Sequence, residues 1–167
     1  MTRNKSGPDL SSLVATYMEA EKVLTAYENG ELTDLTRISK IKEKLESAID
    51  LNLAVLVDIP KEMRLPIVGL LSGLYRFLGG AHMYLEEYDP AKECYENAQD
   101  MGKDIEMSAE IVQALNNLGI IALKQSDPVE ARMQFKQAIA YLDKETDSQF
   151  GKAIRRNLAY AESMISK

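Results

Sequence analysis

The sequence has little of what most active sites and metal sites require. It contains one histidine, one cysteine and no tryptophan in 167 residues. A single cysteine excludes an internal disulfide framework and is typical of a protein from a reducing compartment. No zinc, EF-hand or phosphate-loop motif is present, so we expect no metal and no cofactor. We also expect no enzyme activity, because no nucleophile or acid is paired with a base.

Positive charge and long apolar runs are scarce as well. Lys and Arg total 20 against 26 for Asp and Glu, a formal net charge of −6. Nucleic-acid binders need clustered Lys and Arg, so we expect no nucleic-acid partner. The longest strongly apolar stretch, residues 67–75, is far too short to cross a membrane. Residues 1–9 are polar and carry no signal-peptide core, so we expect a flexible N-terminus there and a cytoplasmic protein without membrane insertion.

Helical periodicity dominates the chain, and no alternating pattern indicates a strand. Asp89-Pro90 and Asp127-Pro128 each predict an N-cap followed by a proline in the first helical turn. Gly102 predicts a helix end, and residues 61–65 are expected to be a linker or an extra turn. The other predicted caps are Thr33 or Asp34, and Asp147. The predicted helices cover about residues 10–28, 35–57, 66–86, 90–101, 105–124, 128–144 and 147–165.

Small and aromatic residues recur along the chain at one offset of 40 residues. On one helix of each copy, Tyr75, Leu78 and Gly79 align with Leu115, Leu118 and Gly119. On the next helix, Ala91, Tyr95 and Ala98 align with Ala131, Phe135 and Ala138, and a third copy begins at Leu158 and Ala159. Generic amphipathic helices would not keep so many independent positions at one offset. The glycines are expected to lie where one helix must approach its partner closely.

This pattern resembles the tetratricopeptide repeat family, in a long-helix variant, over about residues 72–162. Departures from the family pattern are Glu86 and Ser126 where a turn glycine is expected, and His82 and Ala122 in place of an aromatic residue. The resemblance implies an all-α fold of about seven antiparallel helices, stacked as a right-handed α-solenoid in a single domain. Residues 10–59 would form a divergent first helical hairpin, residues 66–146 two repeats, and residues 147–167 a capping helix.

The resemblance also implies a function, namely a scaffold or adaptor that binds a peptide or a partner helix of another protein in a concave groove. The groove residues implied by the alignment are Arg76, Met83, Tyr84, Gln113, Asn116, Asn117, Ile120, Arg156 and Tyr160. Amide side chains can bond a peptide backbone as donor and acceptor, Arg can hold a carboxylate, and Tyr offers flat apolar area. A solvated polar face is the alternative interpretation of each residue.

Some relatives in this family clamp the C-terminal carboxylate of a chaperone with a set of Lys and Asn residues. Asn117 occupies one such position, but Gly80 and Ala153 stand where the set needs Asn and Lys, and Asn157 replaces a basic residue. The resemblance therefore argues against chaperone-tail binding.

Two other functions stay open. The apolar segment 51–57 is consistent with a homo-oligomer, and the groove is consistent with a regulatory sensor of a small ligand or signalling peptide. Outside the groove we expect His82 to be a packing residue and Cys94 an inert thiol. The acidic residues Glu86, Glu87, Asp89, Glu106 and Glu110 are expected to solvate helix ends.

Overall fold

The structure is a computed structural model that describes residues 10–142 and 148–166, without the side chains of residues 61–63. This part of the chain is all-α, as the sequence predicts, and it has no strand. The predicted flexible residues 1–9 and the predicted cap Asp147 lie outside the described residues. The helices are α1 Leu10–Glu28, α2 Leu35–Leu56, α3 Lys61–Tyr84, α4 Tyr88–Asp104, α5 Ser108–Lys124, α6 Pro128–Tyr141 and α7 Gln149–Ile165.

The helices form two rows. Each helix packs against the next one along the chain, and α1 also packs on α3, α3 on α5 and α5 on α7. The even-numbered helices make no such contacts with one another. The odd-numbered helices therefore converge and form the inner row, while α2, α4 and α6 form the outer row. This is how stacked helical hairpins cover the apolar faces that one hairpin cannot bury alone. The right-handed sense of the stack stays a prediction.

The repeated glycines make the close helix contacts that the sequence predicts. Gly79 of α3 lies against the ring of Tyr95 on α4, and Gly119 of α5 lies against Phe135 on α6. A Cβ would lie 2.9 Å from Tyr95 Cε1 at the first position and 2.5 Å from Phe135 Cε1 at the second. Both rings are buried in the core. The lost helix propensity of a glycine, about 1 kcal/mol, is thus outweighed by packing.

Three helices end in the same way. Glu86, Glu106 and Ser126 have φ of 60°, 56° and 62°, in the left-handed region that favours glycine. In each turn the following residue donates its N–H to the carbonyl five residues earlier, which is a Schellman ending. These bonds run from Glu87 to His82, from Met107 to Gly102 and from Asp127 to Ala122. The turns thus form without the glycine that the resemblance leads one to expect at 86 and 126.

The structure decides one open alternative at the start of α3 and corrects the predicted start of α4. Helix α3 begins at Lys61, so residues 61–65 are its first turn and Pro66 lies inside it. A proline this near the N-terminus gives up only one backbone hydrogen bond. Helix α4 begins at Tyr88 with Glu87 at the N-cap, since the Schellman turn already ends there. Asp89 is therefore not a cap, and its carboxylate accepts a hydrogen bond from the side chain of Gln125, the C-cap residue of α5.

The boundaries around α5 and α6 also differ from the prediction. Gly102 does not end α4, because the helix continues to Asp104 and the glycine instead lets Ile111 of α5 approach. Helix α5 starts at Ser108 rather than 105, and α6 ends at Tyr141. The side-chain caps are better predicted. Asp34 and Asp127 cap α2 and α6 as expected, and Ser148 caps α7.

Candidate functional site

A cavity of about 510 Å³ lies on the inner row, between α1, α3 and α5. Six of the nine predicted groove residues line it, three from α3 and three from α5. They are Arg76, Met83, Tyr84, Gln113, Asn117 and Ile120. Arg76 and Met83 are two turns apart on α3, and Gln113, Asn117 and Ile120 are about one turn apart on α5, so each set shares a face. Tyr84 directly follows Met83 and also lines the cavity. Their role in binding stays a prediction, but the structure brings them to one place.

The other three predicted residues lie away from this cavity. Asn116 is buried, and its Oδ1 accepts a hydrogen bond from Nδ2 of Asn157 on α7 at 3.2 Å. Arg156 and Tyr160 lie on the exposed surface of α7. Asn116 therefore joins α5 to α7, and its side chain is not presented to a ligand in the cavity.

Helix α1 provides a wall that the sequence analysis missed. Tyr17, Glu21, Thr25 and Glu28 line the cavity at helical spacings of three and four residues. This spacing is visible in the sequence, but the repeat alignment does not extend to α1. Without the fold, nothing indicates which helix of the first hairpin lies in the inner row.

Arg76 is already paired within the cavity. Its Nε donates to Oε2 of Glu110 at 3.2 Å, and the two side chains are only 17% and 11% exposed. Its guanidinium lies 4.3 Å from the centroid of the Phe77 ring, and Nη2 donates to the Tyr17 hydroxyl at 3.5 Å. Removing one partner would leave a buried charge uncompensated, which is strongly destabilising. The predicted solvated position of Glu110 is therefore wrong, and a ligand carboxylate would have to compete with Glu110 for Arg76.

The amides of Gln113 and Asn117 are free. Both side chains are half-buried in the cavity wall, and among the described residues neither has a hydrogen-bond partner. Met83 and Ile120 supply apolar surface beside them. An amide offers donors and acceptors together, which is what an extended peptide backbone needs from its binding surface.

The α1 side of the cavity is acidic. The Tyr84 hydroxyl donates to the Glu28 carboxylate, and burial, followed by this hydrogen bond, raises the pKa of Tyr84. The phenol therefore stays protonated and keeps donating. Glu21 forms no hydrogen bond or ion pair with any other described residue.

The single histidine and the single cysteine lie away from the cavity. His82 is buried, as predicted, and its Nδ1 lies 2.5 Å from Oε2 of Glu87. Lys42 of α2 donates to the same carboxylate at 2.9 Å, so Glu87 links a turn to a neighbouring helix rather than only solvating it. Cys94 is also buried, and burial raises the pKa of its thiol to about 12. Within the described residues, no group of three or more His, Cys, Asp or Glu is placed to hold a metal ion.

Comparison with known protein families gave a match over part of the chain. A family model described as tetratricopeptide repeat matches residues 70–144, from within α3 to just beyond α6. Comparison with curated proteins gave no match, and comparison with solved structures gave none either. No helix in the described part of the chain is long and apolar enough to cross a membrane.

Proposed function

Residues 70–144 belong to the tetratricopeptide repeat family, and from this we propose that the chain is a scaffold or adaptor that binds a peptide segment of another protein. Tetratricopeptide repeats generally mediate protein–protein interaction. The proposed binding surface is the cavity between α1, α3 and α5. A cytoplasmic location and a role without catalysis, both predicted from the sequence, are part of the same proposal.

The observation that carries this proposal is the pair of free amides in the cavity. Gln113 and Asn117 are half-buried without hydrogen-bond partners among the described residues, next to the apolar side chains of Met83 and Ile120. A hydrogen bond exchanged with a peptide would satisfy groups that the fold leaves open.

The test is a selection of random peptides, displayed on phage, against the immobilised chain. Enriched peptides are synthesised and titrated against the wild type and against the double variant Gln113→Ala, Asn117→Ala. We expect binding to weaken by about tenfold or more, because each lost hydrogen bond contributes about 1 kcal/mol. The melting temperature should stay within a few degrees of the wild-type value, since neither side chain has a partner in the described fold.

The matched control removes the same two side-chain types from the outer row. Asn97 of α4 and Gln137 of α6 also lack hydrogen-bond partners among the described residues and lie outside the cavity. The variant Asn97→Ala, Gln137→Ala should bind the peptides like the wild type. Equal affinity of all three proteins would overturn the proposal.

Self-association remains a second proposal, favoured by the end of α2. Leu51 and Val57 are 63% and 78% exposed there, within the apolar segment 51–57. Sedimentation equilibrium over a wide concentration range tests it, and a monomer throughout would remove it. The regulatory sensor predicted from the sequence would use the same cavity as the peptide.

A further inference from the structure

We propose that the peptide carries a Lys or Arg side chain and that this cation enters the α1 side of the cavity. The inference rests on the proposed function, because it specifies the chemistry of the segment that the cavity binds. It follows from the carboxylates and aromatic rings that line the cavity and from the pairing of Arg76 with Glu110.

The first step concerns the balance of charge in the cavity. Its lining contains three carboxylates, on Glu21, Glu28 and Glu110, and one cation, Arg76. Glu110 and Arg76 neutralise each other across 3.2 Å. The two carboxylates of α1 are left over, and among the described residues neither has a cationic partner. The cavity therefore presents two uncompensated negative charges on one wall.

The second step concerns how the cavity already holds one cation. The Arg76 guanidinium pairs with the Glu110 carboxylate at 3.2 Å and also lies over the face of the Phe77 ring, 4.3 Å from its centroid. A carboxylate and an aromatic face both suit a guanidinium or an ammonium group. The pairing of Arg76 shows that the cavity accommodates such a group in its wall.

The third step is that α1 offers a second cation the same kinds of partner. Glu21 and Glu28 are separated by seven residues, two helical turns, so both carboxylates line the cavity from one face of α1. The rings of Tyr17 and Tyr84 line it beside them. Both carboxylates are on exposed residues, so a long side chain can reach them from the surface while its aliphatic stem packs on the rings.

The same charges disfavour an acidic partner. An Asp or Glu side chain in this position would face two like charges, and such juxtaposition weakens binding. The overall net charge of −6 further favours the approach of a basic segment, although only over distances within the screening length.

The experiment selects peptides on the wild type and measures their affinity for the wild type and for two double variants. The double variant Glu21→Gln, Glu28→Gln removes the unpaired charges of the cavity. The control Glu31→Gln, Glu43→Gln removes the same net charge from exposed residues outside the cavity, which also lack partners among the described residues. Peptides enriched on the wild type should share a Lys or Arg at one position.

The shared position is then replaced by norleucine in a synthetic peptide. Affinity for the wild type and for the control variant should fall by about tenfold or more, whereas affinity for the cavity variant should change by less than about threefold. A loss of the same size on all three proteins would mean that the cation acts elsewhere and would overturn the inference.

Failure of this inference can be told apart from failure of the proposed function. If the selected peptides depend on Gln113 and Asn117 but share no basic residue, the groove binds peptides and the cation preference is wrong. If the basic residue matters equally on the cavity and control variants, only the overall charge attracts it, and the inference is again overturned. If no peptide depends on the groove, both proposals fall.

Discussion

Two adjacent glycines of α3 have opposite surroundings, and the difference makes a sharp test at the scale of single residues. A Cβ at Gly79 would lie 2.9 Å from the Tyr95 ring, whereas one at Gly80 would have its nearest neighbours at 3.7 Å. Packing against Tyr95 therefore requires a glycine at position 79. At position 80 a glycine only lowers the helix propensity and brings no packing gain. The sequence predicts the role of Gly79 because Gly119 repeats it, but it gives no such signal for Gly80.

We expect Gly79→Ala and Gly119→Ala to lower the free energy of unfolding by about 1–3 kcal/mol, as overpacking of a core does. The change at 119 should be larger, because its Cβ would lie 2.5 Å from Phe135. Gly80→Ala should raise the free energy of unfolding by up to about 1 kcal/mol through helix propensity. Urea denaturation measures all three. If Gly119→Ala were as stable as Gly80→Ala, the close-contact interpretation would be wrong.

At the scale of the helices and turns, the Schellman endings store local backbone strain. Ser126 has φ of 62°, whereas the preceding residue Gln125 has φ of −84°. A residue with a Cβ is disfavoured in the left-handed region by about 1–2 kcal/mol, but glycine is not. The turn geometry comes from the backbone hydrogen bonds, which is why it forms at Glu86 and Ser126 without glycine.

We therefore expect Ser126→Gly to stabilise the fold by about 0.5–1 kcal/mol, after allowing for the greater freedom of glycine in the unfolded chain. The neighbouring control, Gln125→Gly, should destabilise it by a similar amount. Thermal or urea unfolding of the two variants checks this pair. A loss of stability in both would show that position 126 does not keep its left-handed conformation.

The bond network around Glu87 ties a turn to α2 and makes stability depend on pH. Hydrogen bonds from Lys42 and then from His82 lower the pKa of the Glu87 carboxyl below its ordinary value of 4.5. A carboxyl with a lowered pKa stabilises the folded state above the unfolded pKa and loses this effect as the pH falls through the folded value. This network arises from packing between α2 and α3, so the sequence alone does not reveal it.

Glu87→Gln should accordingly be less stable than the wild type at pH 7. The difference should shrink as the pH falls below 4.5 and vanish once the pH has passed through the lowered folded-state pKa. The adjacent Glu86→Gln is the control, because the side chain of Glu86 is exposed and has no partner among the described residues. Denaturation curves recorded between pH 3 and pH 7 provide the comparison. A difference independent of pH would contradict the role assigned to the ionised carboxylate.

At the scale of the helical stack, the sequence predicts the fold better than it predicts the boundaries. The periodicity predicts seven helices, and the repeated glycines predict the close contacts of α3 with α4 and of α5 with α6. The start of α4 is wrong because a Schellman turn, which needs no particular residue, competes with the Asp89-Pro90 capping pattern. The prediction that Gly102 ends α4 is wrong because glycine is favoured in two situations. One is a helix end, and the other is a close approach by a neighbouring helix, as Ile111 makes here.

For the candidate site, too, the sequence predicts some of the residues and misses others. The repeat alignment places residues of α3 and α5 on one face, and six of them line the cavity. It misses Glu21 and Glu28, because α1 departs from the repeat pattern and only the assembled molecule puts it in the inner row. It also misses the Arg76–Glu110 pair, because that contact depends on how two helices pack and not on spacing within either one.

The proposed binding of a partner on the inner row of helices can be tested directly with the methionine methyl groups. The chain has 8 methionines. Met83 lines the cavity, whereas Met133 is 45% exposed on α6 in the outer row. These two methyl groups therefore report on opposite sides of the molecule.

The measurement is a methyl NMR titration of the methionine-labelled chain with the tightest peptide from the selection. The methyl signals are assigned with Met83→Leu and Met133→Leu variants. We predict that the Met83 signal shifts to saturation along the binding curve while the Met133 signal stays in place. A saturating shift of Met133 with an unmoved Met83 would contradict binding on the inner row.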